Sequence, residues 1–186
     1  LVVGTLHAAD TITMADLPYF FDFEDQTEMS NWTLNEKAAT PNEWHVGAYD
    51  AYTGQYSMYV SCDSGKTNTY TGTSNIVVAC RPIRLDAGEY DIAFDYKGEG
   101  NGNNGFLKIF LTNRPKSQIK CLASFSEPTW YSSTVNCLNK IQKLNGATKW
   151  LHYQDKFTFP AAYDNKNMFL VLAWENNSSK VDYSSI

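Results

Sequence analysis

Apolar and polar residues alternate along much of this chain, and the alternation has a period of two. In the segment LPYFFDFED (17–25), Phe21 and Phe23 fall on one side and Asp22 and Glu24 on the other. This period is typical of β-strands that bury one face. We therefore predict a strand at residues 19–24. Further strands are predicted at residues 43–49, 55–62, 75–83, 89–97, 105–112, 119–125, 150–159, 167–175 and 180–186.

Turn-forming residues separate these runs. Gly, Asn and Asp cluster at 63–65, 86–88 and 98–105, where their tolerance of positive φ favours turns. Strands at this spacing, with no amphipathic helices between them, predict an all-β fold, a two-sheet antiparallel β-sandwich of jelly-roll type. One helix is predicted at 135–144, because Leu, Ile and Leu recur there every three residues and Asn-Gly follows.

The apolar sides of the predicted strands also predict the core. Its expected members are Phe21, Phe23, Trp44, Tyr59, Ile92, Phe94, Ile109, Leu170, Leu172 and Trp174. Residues 18–186 are predicted to form one domain, and residues 1–17 a lead-in segment, either the tail of a signal sequence or the end of a preceding domain.

Composition and charge narrow the class of protein. Hydrophobic residues make up 43% of the 186 residues and charged residues 19%, which excludes a disordered solvating segment. The net charge is −5 and the 15 basic residues form no stripe, so a nucleic-acid partner is not expected. No apolar run approaches the roughly 18 to 20 residues of a membrane span. Aromatic residues reach 15%, which suits sheets and contact surfaces.

The cysteines and histidines do not form a metal-binding pattern. Cys62, Cys80, Cys121 and Cys137 contain no CxxC spacing, and the three histidines are scattered, which argues against zinc. A bridge between Cys62 and Cys80 is possible because both lie in predicted strands. The alternative is that these cysteines are small buried apolar residues.

Motifs of catalysis are missing from the sequence. It contains no GxSxG, no HExxH and no phosphate-binding loop that precedes a helix. The 20 acidic residues show no spacing that singles out a general acid and a general base, and Asp91 and Asp95 are interpreted as strand-face residues. We therefore predict that the chain is not an enzyme; an unrecognised hydrolase is the less favoured hypothesis.

Four segments resemble one known family. The motifs LPYFFDFED (17–25), NEWHVG (42–47), SMYVSCDSG (57–65) and LDAGEYDIAFDYK (85–97) are similar to those of cleaved-adhesin domains, also called choice-of-anchor J domains. Such domains occur in secreted and surface proteins of Bacteroidetes, including the haemagglutinin regions of gingipains, and are similar to MAM-type jelly rolls. The resemblance implies a secreted or cell-surface location and a non-catalytic adhesin module attached to other domains of the same protein.

A glycan or a host or cell-surface protein is the expected ligand of such a module. The connection 115–148 departs from the family pattern and contains Trp130 and Tyr131 after a proline. Because loops present binding residues more often than the scaffold does, these two rings are the candidate ligand-binding residues. The competing hypothesis is a structural spacer domain that has no ligand of its own.

Calcium is the expected cofactor. The first and last strands of a jelly roll often lie side by side, and carboxylates there can bind a hard cation that ties the chain ends together. The candidate ligands are Asp22 and Glu24 from the first predicted strand and Asp182 from the last. The alternative is that Asp22 and Glu24 form an ordinary solvated strand face. A structural calcium site, rather than a catalytic one, is predicted.

Overall fold

The computed structural model describes residues 13–38, 40–72, 75–100, 104–123, 138–164, 166–176 and 184–185. Within these ranges the strands are β1 (Thr33–Leu34), β2 (Glu43–Gly47), β3 (Ser57–Ser61), β4 (Asn75–Leu85), β5 (Gly88–Gly98), β6 (Phe106–Thr112), β7 (Leu138–Leu144), β8 (Ala147–Phe159), β9 (Lys166–Asn176) and β10 (Ser184–Ser185). The helix α1 (Gln26–Met29) and two 3-10 turns, Lys116–Gln118 and Ala161–Tyr163, complete them. No helix in the described part of the chain is long and apolar enough to cross a membrane.

The strands form two antiparallel layers. One is a five-stranded sheet with the order β1-β4-β9-β6-β7. The other contains the three-stranded sheet β10-β5-β8 and the hairpin β2–β3, which meet because β10 also lies beside β3. The two-sheet antiparallel β-sandwich predicted from the alternation is confirmed.

The two layers differ in burial. Every residue of β4 is buried except Arg84, and β6 is buried throughout, so these two strands of the five-stranded sheet are covered on both faces, whereas Ile141, Leu144 and Leu170 of the same sheet are half-buried. In β5, half-buried residues alternate with exposed ones from Gly88 to Phe94. Of the predicted core residues, five are buried: Trp44, Tyr59, Ile109, Leu172 and Trp174. The other five are half-buried and pack against the core: Phe21, Phe23, Ile92, Phe94 and Leu170.

The predicted helix at 135–144 is wrong over its described part, which is the strand β7. Leu144, Ile141 and Leu138 pair with Leu107, Ile109 and Leu111 of β6. The partner residues are two apart on β6 but three apart on β7, so each step contains a register shift of the kind that a β-bulge produces. Bulges, and not helical turns, therefore cause the period of three.

The predicted strand at 19–24 is also wrong, and so is the described part, 119–123, of the strand predicted at 119–125. Residues 19–24 are irregular, with Phe23 at φ 68°, although Phe21 and Phe23 do share one side and their rings lie 4.8 Å apart. Residues 119–123 contain only an isolated bridge between Leu122 and Ile76. Both segments pack their apolar side chains against the core without pairing as strands. Burial alone therefore explains their apolar residues.

The motif SCDSG (61–65) has a structural role in the turn after β3. Asp63 Oδ1 accepts hydrogen bonds from the Ser61 hydroxyl at 2.6 Å and from the amides of Lys66 and Thr67 at 3.1 and 3.0 Å. These bonds, led by that from Ser61, lower the pKa of Asp63 to about 2. Gly65 has φ 79°, and a Cβ there would lie 3.0 Å from His45 Nδ1, so the turn requires glycine.

The described cysteines are free thiols. Cys62, Cys80 and Cys121 form no disulfide, and Cys137 lies outside the described residues. Burial raises the pKa of Cys80 and of Cys121 to about 11, so both stay protonated at neutral pH. Cys121 Sγ accepts the amide of Val78 at 3.4 Å. Cys80 and Cys121 thus match the sequence interpretation of small buried apolar residues.

Candidate ligand-binding cleft

A cleft of about 790 Å³ lies between the five-stranded sheet and the β5–β8 ribbon. The rest of its lining comes from the irregular segment 17–23, from Trp32, from Tyr52, Thr53 and Tyr56 of the loop before β3, and from Ser57. The cleft exists because β5 and β8 cover the five-stranded sheet incompletely. Tyr90, Ile92 and Phe94 alternate along β5 toward that sheet, yet each stays only half-buried.

Its size shows that the cleft is not an empty enclosed void. At about 24 cal/mol per Å³, a dry cavity of 790 Å³ would cost on the order of 19 kcal/mol. The stability of a whole domain is typically about 5–15 kcal/mol. The cleft is therefore a space open to water or to a ligand, which agrees with the half-exposed rings along β5.

One wall of the cleft is apolar. The five-stranded sheet contributes Ile83, Leu85, Ile109, Phe110, Leu111, Ile141, Leu144, Leu170 and Leu172. None of these side chains has a hydrogen-bonding group. They come from β4, β6, β7 and β9, so the apolar surface runs across four adjacent strands; we refer to it as the apolar wall.

The opposite wall, the β5–β8 ribbon, combines rings with polar groups. The register places Phe94 opposite Tyr153 and Tyr90 opposite Phe157, and the two ring pairs stack with centroids 5.0 and 5.5 Å apart. Asp155 follows on β8, and its Oδ2 accepts the Tyr153 hydroxyl at 3.1 Å. Stacked cross-strand rings stiffen the ribbon. We refer to this surface as the mixed wall.

Two cross-strand polar pairs, one His–Asp and one Lys–Asp, lie on the same ribbon. His152 Nδ1 lies 3.0 Å from Asp95 Oδ1, and Lys156 Nζ lies 3.8 Å from Asp91 Oδ1. All four residues line the cleft, although they alternate with the rings along each strand. The lining thus includes both faces of the ribbon, and the cleft extends past the edge strand β8.

Trp150 is held in place at one end of the mixed wall. Its Nε1 donates to Asp50 Oδ1 at 3.4 Å, and Tyr52 lies against it with ring centroids 5.9 Å apart. Asp50 is fixed in turn by Lys97, whose Nζ lies 2.8 Å from Oδ2. Trp150 is half-buried and Tyr52 is 57% exposed. The arrangement presents aromatic surface to solvent in a fixed orientation.

Trp130, Tyr131 and Asp182 lie outside the described residues. Sequence reasoning missed Trp150, Tyr153 and their polar neighbours, because β8 was interpreted only as a strand. One signal was present: WLHYQDKF (150–157) carries polar or aromatic residues on both sides, unlike a strand that buries an aliphatic face.

Asp22 and Glu24 lie together in the irregular segment before α1. Asp22 Oδ1 accepts the amide of Glu24 at 3.1 Å, and Glu24 Oε1 accepts the amides of Gln55 and Tyr56 at 2.6 and 2.8 Å. Glu24 thus binds the loop before β3 and is not simply solvated. Among the described residues, no three His, Cys, Asp or Glu side chains are grouped to hold a metal. The calcium site stays a prediction that depends on Asp182.

Calcium is expected to raise the unfolding temperature of the wild type and not that of Glu24→Gln. A cation bound only by the folded state adds RT ln(1 + [L]/Kd), or about 2.7 kcal/mol at a hundredfold excess over Kd. Thermal unfolding with calcium and then with excess chelator measures the shift. Equal midpoints for the wild type in both conditions would contradict the site, and an equal shift in the variant would place the cation elsewhere.

Comparisons with known proteins give no family for this chain. No family model and no curated protein sequence matches it, so the resemblance to cleaved-adhesin domains stays an interpretation of the motifs. Solved structures do match. One is the C-terminal family 22 carbohydrate-binding module of Clostridium thermocellum Xyn10B, with 14% identity and a TM-score of 0.49 over 90% of this chain and 89% of that chain.

Two further solved structures that match differ in the kind of protein they come from. A family 16 carbohydrate-binding module has 16% identity and a TM-score of 0.48 over 85% of this chain and 89% of its own. The enzymatically active domain of bacteriophage CBA120 tailspike protein 4 has 11% identity and a TM-score of 0.47; the match covers 89% of this chain but 20% of the tailspike chain. At these identities and TM-scores, the likenesses say nothing about the ligand or activity of this chain.

Proposed function

We propose that this chain is a non-catalytic binding module that holds a glycan in the cleft. The observation that carries the proposal is the mixed wall, whose cleft lining includes the half-exposed rings of Trp150 and Tyr153, the carboxylates of Asp95 and Asp155 and the imidazole of His152. A sugar ring has apolar C–H faces and hydroxyl edges. Aromatic rings can pack on the C–H faces, and carboxylates and imidazole can form hydrogen bonds with the hydroxyl groups.

Preorganisation supports the same proposal. Trp150 is hydrogen-bonded to Asp50 and contacts Tyr52, and Tyr153 is stacked on Phe94. Side chains that are already fixed lose little rotamer freedom when a ligand binds, so more of the contact energy appears as affinity. A low entropy cost of this kind favours the binding of a hydrated ligand such as a glycan.

The cleaved-adhesin resemblance extends the proposal. It adds a secreted or cell-surface location, attachment to other domains of the same protein, and a host or cell-surface protein as the bearer of the ligand. The motifs quoted above support these additions, and the cleft geometry does not depend on them. A spacer without a ligand is the competing function.

The test is a glycan array on the isolated chain, followed by calorimetric titration of each positive glycan. Trp150→Ala should lower the affinity by at least about tenfold, because truncating an anchoring Trp typically costs about 2 kcal/mol or more. Tyr49→Ala is the matched control: Tyr49 is 49% exposed in the same loop as Tyr52 but does not line the cleft. The glycan affinity of Tyr49→Ala should stay within about twofold of that of the wild type.

Two results would contradict the proposal. If no glycan on a broad array binds the folded chain, the spacer function is favoured. If Tyr49→Ala and Trp150→Ala lose affinity equally, the glycan binds outside the cleft. Circular dichroism of both variants, compared with the wild type, separates loss of binding from loss of fold.

A further inference from the structure

The apolar wall offers the hydroxyl groups of a sugar no side-chain hydrogen bond. All nine residues that the five-stranded sheet contributes to the cleft have apolar side chains. The polar lining side chains come from the mixed wall, from the loop before β3 and Ser57 at the start of β3, and from Tyr19, Asp22 and Trp32. Hydroxyl groups turned toward the apolar wall would lose water without gaining a hydrogen bond, which is costly. A ligand that fills the cleft therefore needs an apolar part as well as a polar one.

We propose that the cleft binds a single-chain amphiphile, whose alkyl chain packs on the apolar wall while its polar head lies on the mixed wall. The glycan identity of the head rests on the proposed function; the alkyl part rests on the apolar wall alone. Apolar cavities lined by Leu, Ile and Phe bind apolar ligands readily, because water finds no hydrogen-bond partners on such surfaces.

The dimensions and the mouth of the cleft fit this ligand. Its volume of about 790 Å³ lies within the roughly 300–1,000 Å³ of pockets that enclose a whole small molecule. Phe20 and Leu17, which also line the cleft, are 82% and 39% exposed. Exposed apolar side chains at the mouth extend the apolar surface to solvent, where an alkyl chain would first make contact.

The experiment uses alkyl β-maltosides of increasing chain length, from methyl to decyl, with the folded full chain and each detergent below its micelle concentration. The head is constant, so any gain in affinity reports the alkyl chain. Affinity should rise about fourfold per methylene while the chain still contacts the apolar wall, and then reach a plateau. Displacement of cis-parinaric acid, a fluorescent fatty acid, gives a second readout.

Leu170→Trp is the test variant, because Leu170 is half-buried on β9 and lines the cleft. The larger ring should fill part of the apolar space and lower the affinity for decyl maltoside by at least about tenfold. Leu144→Phe, also half-buried on the apolar wall, serves if Leu170→Trp fails to fold. Leu151→Phe is the control: Leu151 is 47% exposed on β8 and does not line the cleft.

The outcomes separate this inference from the proposed function. An affinity that is independent of chain length, or no binding of parinaric acid, overturns the amphiphile even if glycans bind. A rising series that Leu170→Trp abolishes supports the amphiphile even if the glycan array is negative, and then only the proposed glycan function fails. Equal losses in Leu170→Trp and Leu151→Phe also overturn it, because the alkyl chain would lie elsewhere.

Discussion

Replacing Lys108 by Met is expected to lower the free energy of unfolding by about 3–5 kcal/mol. Lys108 on β6 and Glu175 on β9 form an ion pair, with Nζ 2.8 Å from Oε1 and 3.0 Å from Oε2. Their side chains are 4% and 0% exposed. Met fills a similar volume but leaves the Glu175 charge buried without its cation, which is the origin of the cost.

Urea unfolding of single and double variants measures this effect. Lys116→Met is the matched control, because Lys116 lies 3.6 Å from Glu36 with both side chains more than a third exposed. An exposed pair of this kind contributes about 0–1 kcal/mol. The double variant Lys108→Met/Glu175→Leu should recover most of the loss, since neither charge remains. A loss below about 1 kcal/mol in Lys108→Met would show that Glu175 has other means of compensation.

Replacing Glu28 by Ala is expected to cost a similar amount, about 3–5 kcal/mol. Glu28 on α1 holds Arg81 on β4 through two contacts, Nε to Oε1 at 2.6 Å and Nη2 to Oε2 at 3.1 Å. The Tyr19 hydroxyl donates to Oε1 at 2.6 Å. Arg81 is 2% exposed, so without Glu28 its charge stays buried without the carboxylate that neutralises it, and its Nη1 keeps hydrogen bonds to the uncharged carbonyls of Thr13 and Pro82.

The same contacts make stability depend on pH. Burial alone would raise the pKa of Glu28, but hydrogen bonds from Arg81 and Tyr19 and the charge of Arg81 outweigh it, and the pKa falls below its ordinary value of 4.5. Because the folded-state pKa is the lower one, the contribution is present above about pH 4.5 and is lost as the pH falls through the folded value. The wild type should therefore lose more stability than Glu28→Ala between about pH 5 and pH 3.

Glu36→Ala is the control for this second prediction, since Glu36 is 38% exposed and pairs only with Lys116 among the described ion pairs. Its urea midpoint should differ little from that of the wild type at any pH. If Glu28→Ala matched Glu36→Ala, the Arg81 charge would have to be solvated in the variant, and α1 would have to move to admit water.

The sandwich was predictable because several strands carry either a period of two or a long apolar run. β5 alternates from Gly88 to Phe94, and the apolar runs of β4 and β6 are long enough to be recognised without alternation. β7 was not predictable, because its spacing of three comes from register shifts that only the partner strand reveals. The strand predicted at 19–24 is wrong for a similar reason. Phe21 and Phe23 do lie on one side, but their segment packs on the sheet without forming strand hydrogen bonds.

The cleft was less predictable than the fold. Its walls come from strands that are distant in sequence, so no local motif indicates that Trp150 and Leu170 line the same cleft. The half-burial of Ile92 and Phe94 was likewise invisible, because alternation shows which side a residue faces but not how closely the opposite layer approaches. Incomplete coverage is a property of the assembled layers.

The position of β9 in the five-stranded sheet has a consequence for the order of folding. β9 lies between β4 and β6, and its pairing with β4 joins residues from 81 positions apart, Leu85 to Lys166, to 101 positions apart, Asn75 to Asn176. Such non-local pairs form slowly, because the intervening chain must be closed into a loop before any contact is gained. During synthesis, β4 and β6 have no central neighbour until residue 176 has left the ribosome. Between the synthesis of residue 85 and that of residue 176, the edges on which β9 pairs are therefore exposed, and unpaired strand edges favour aggregation.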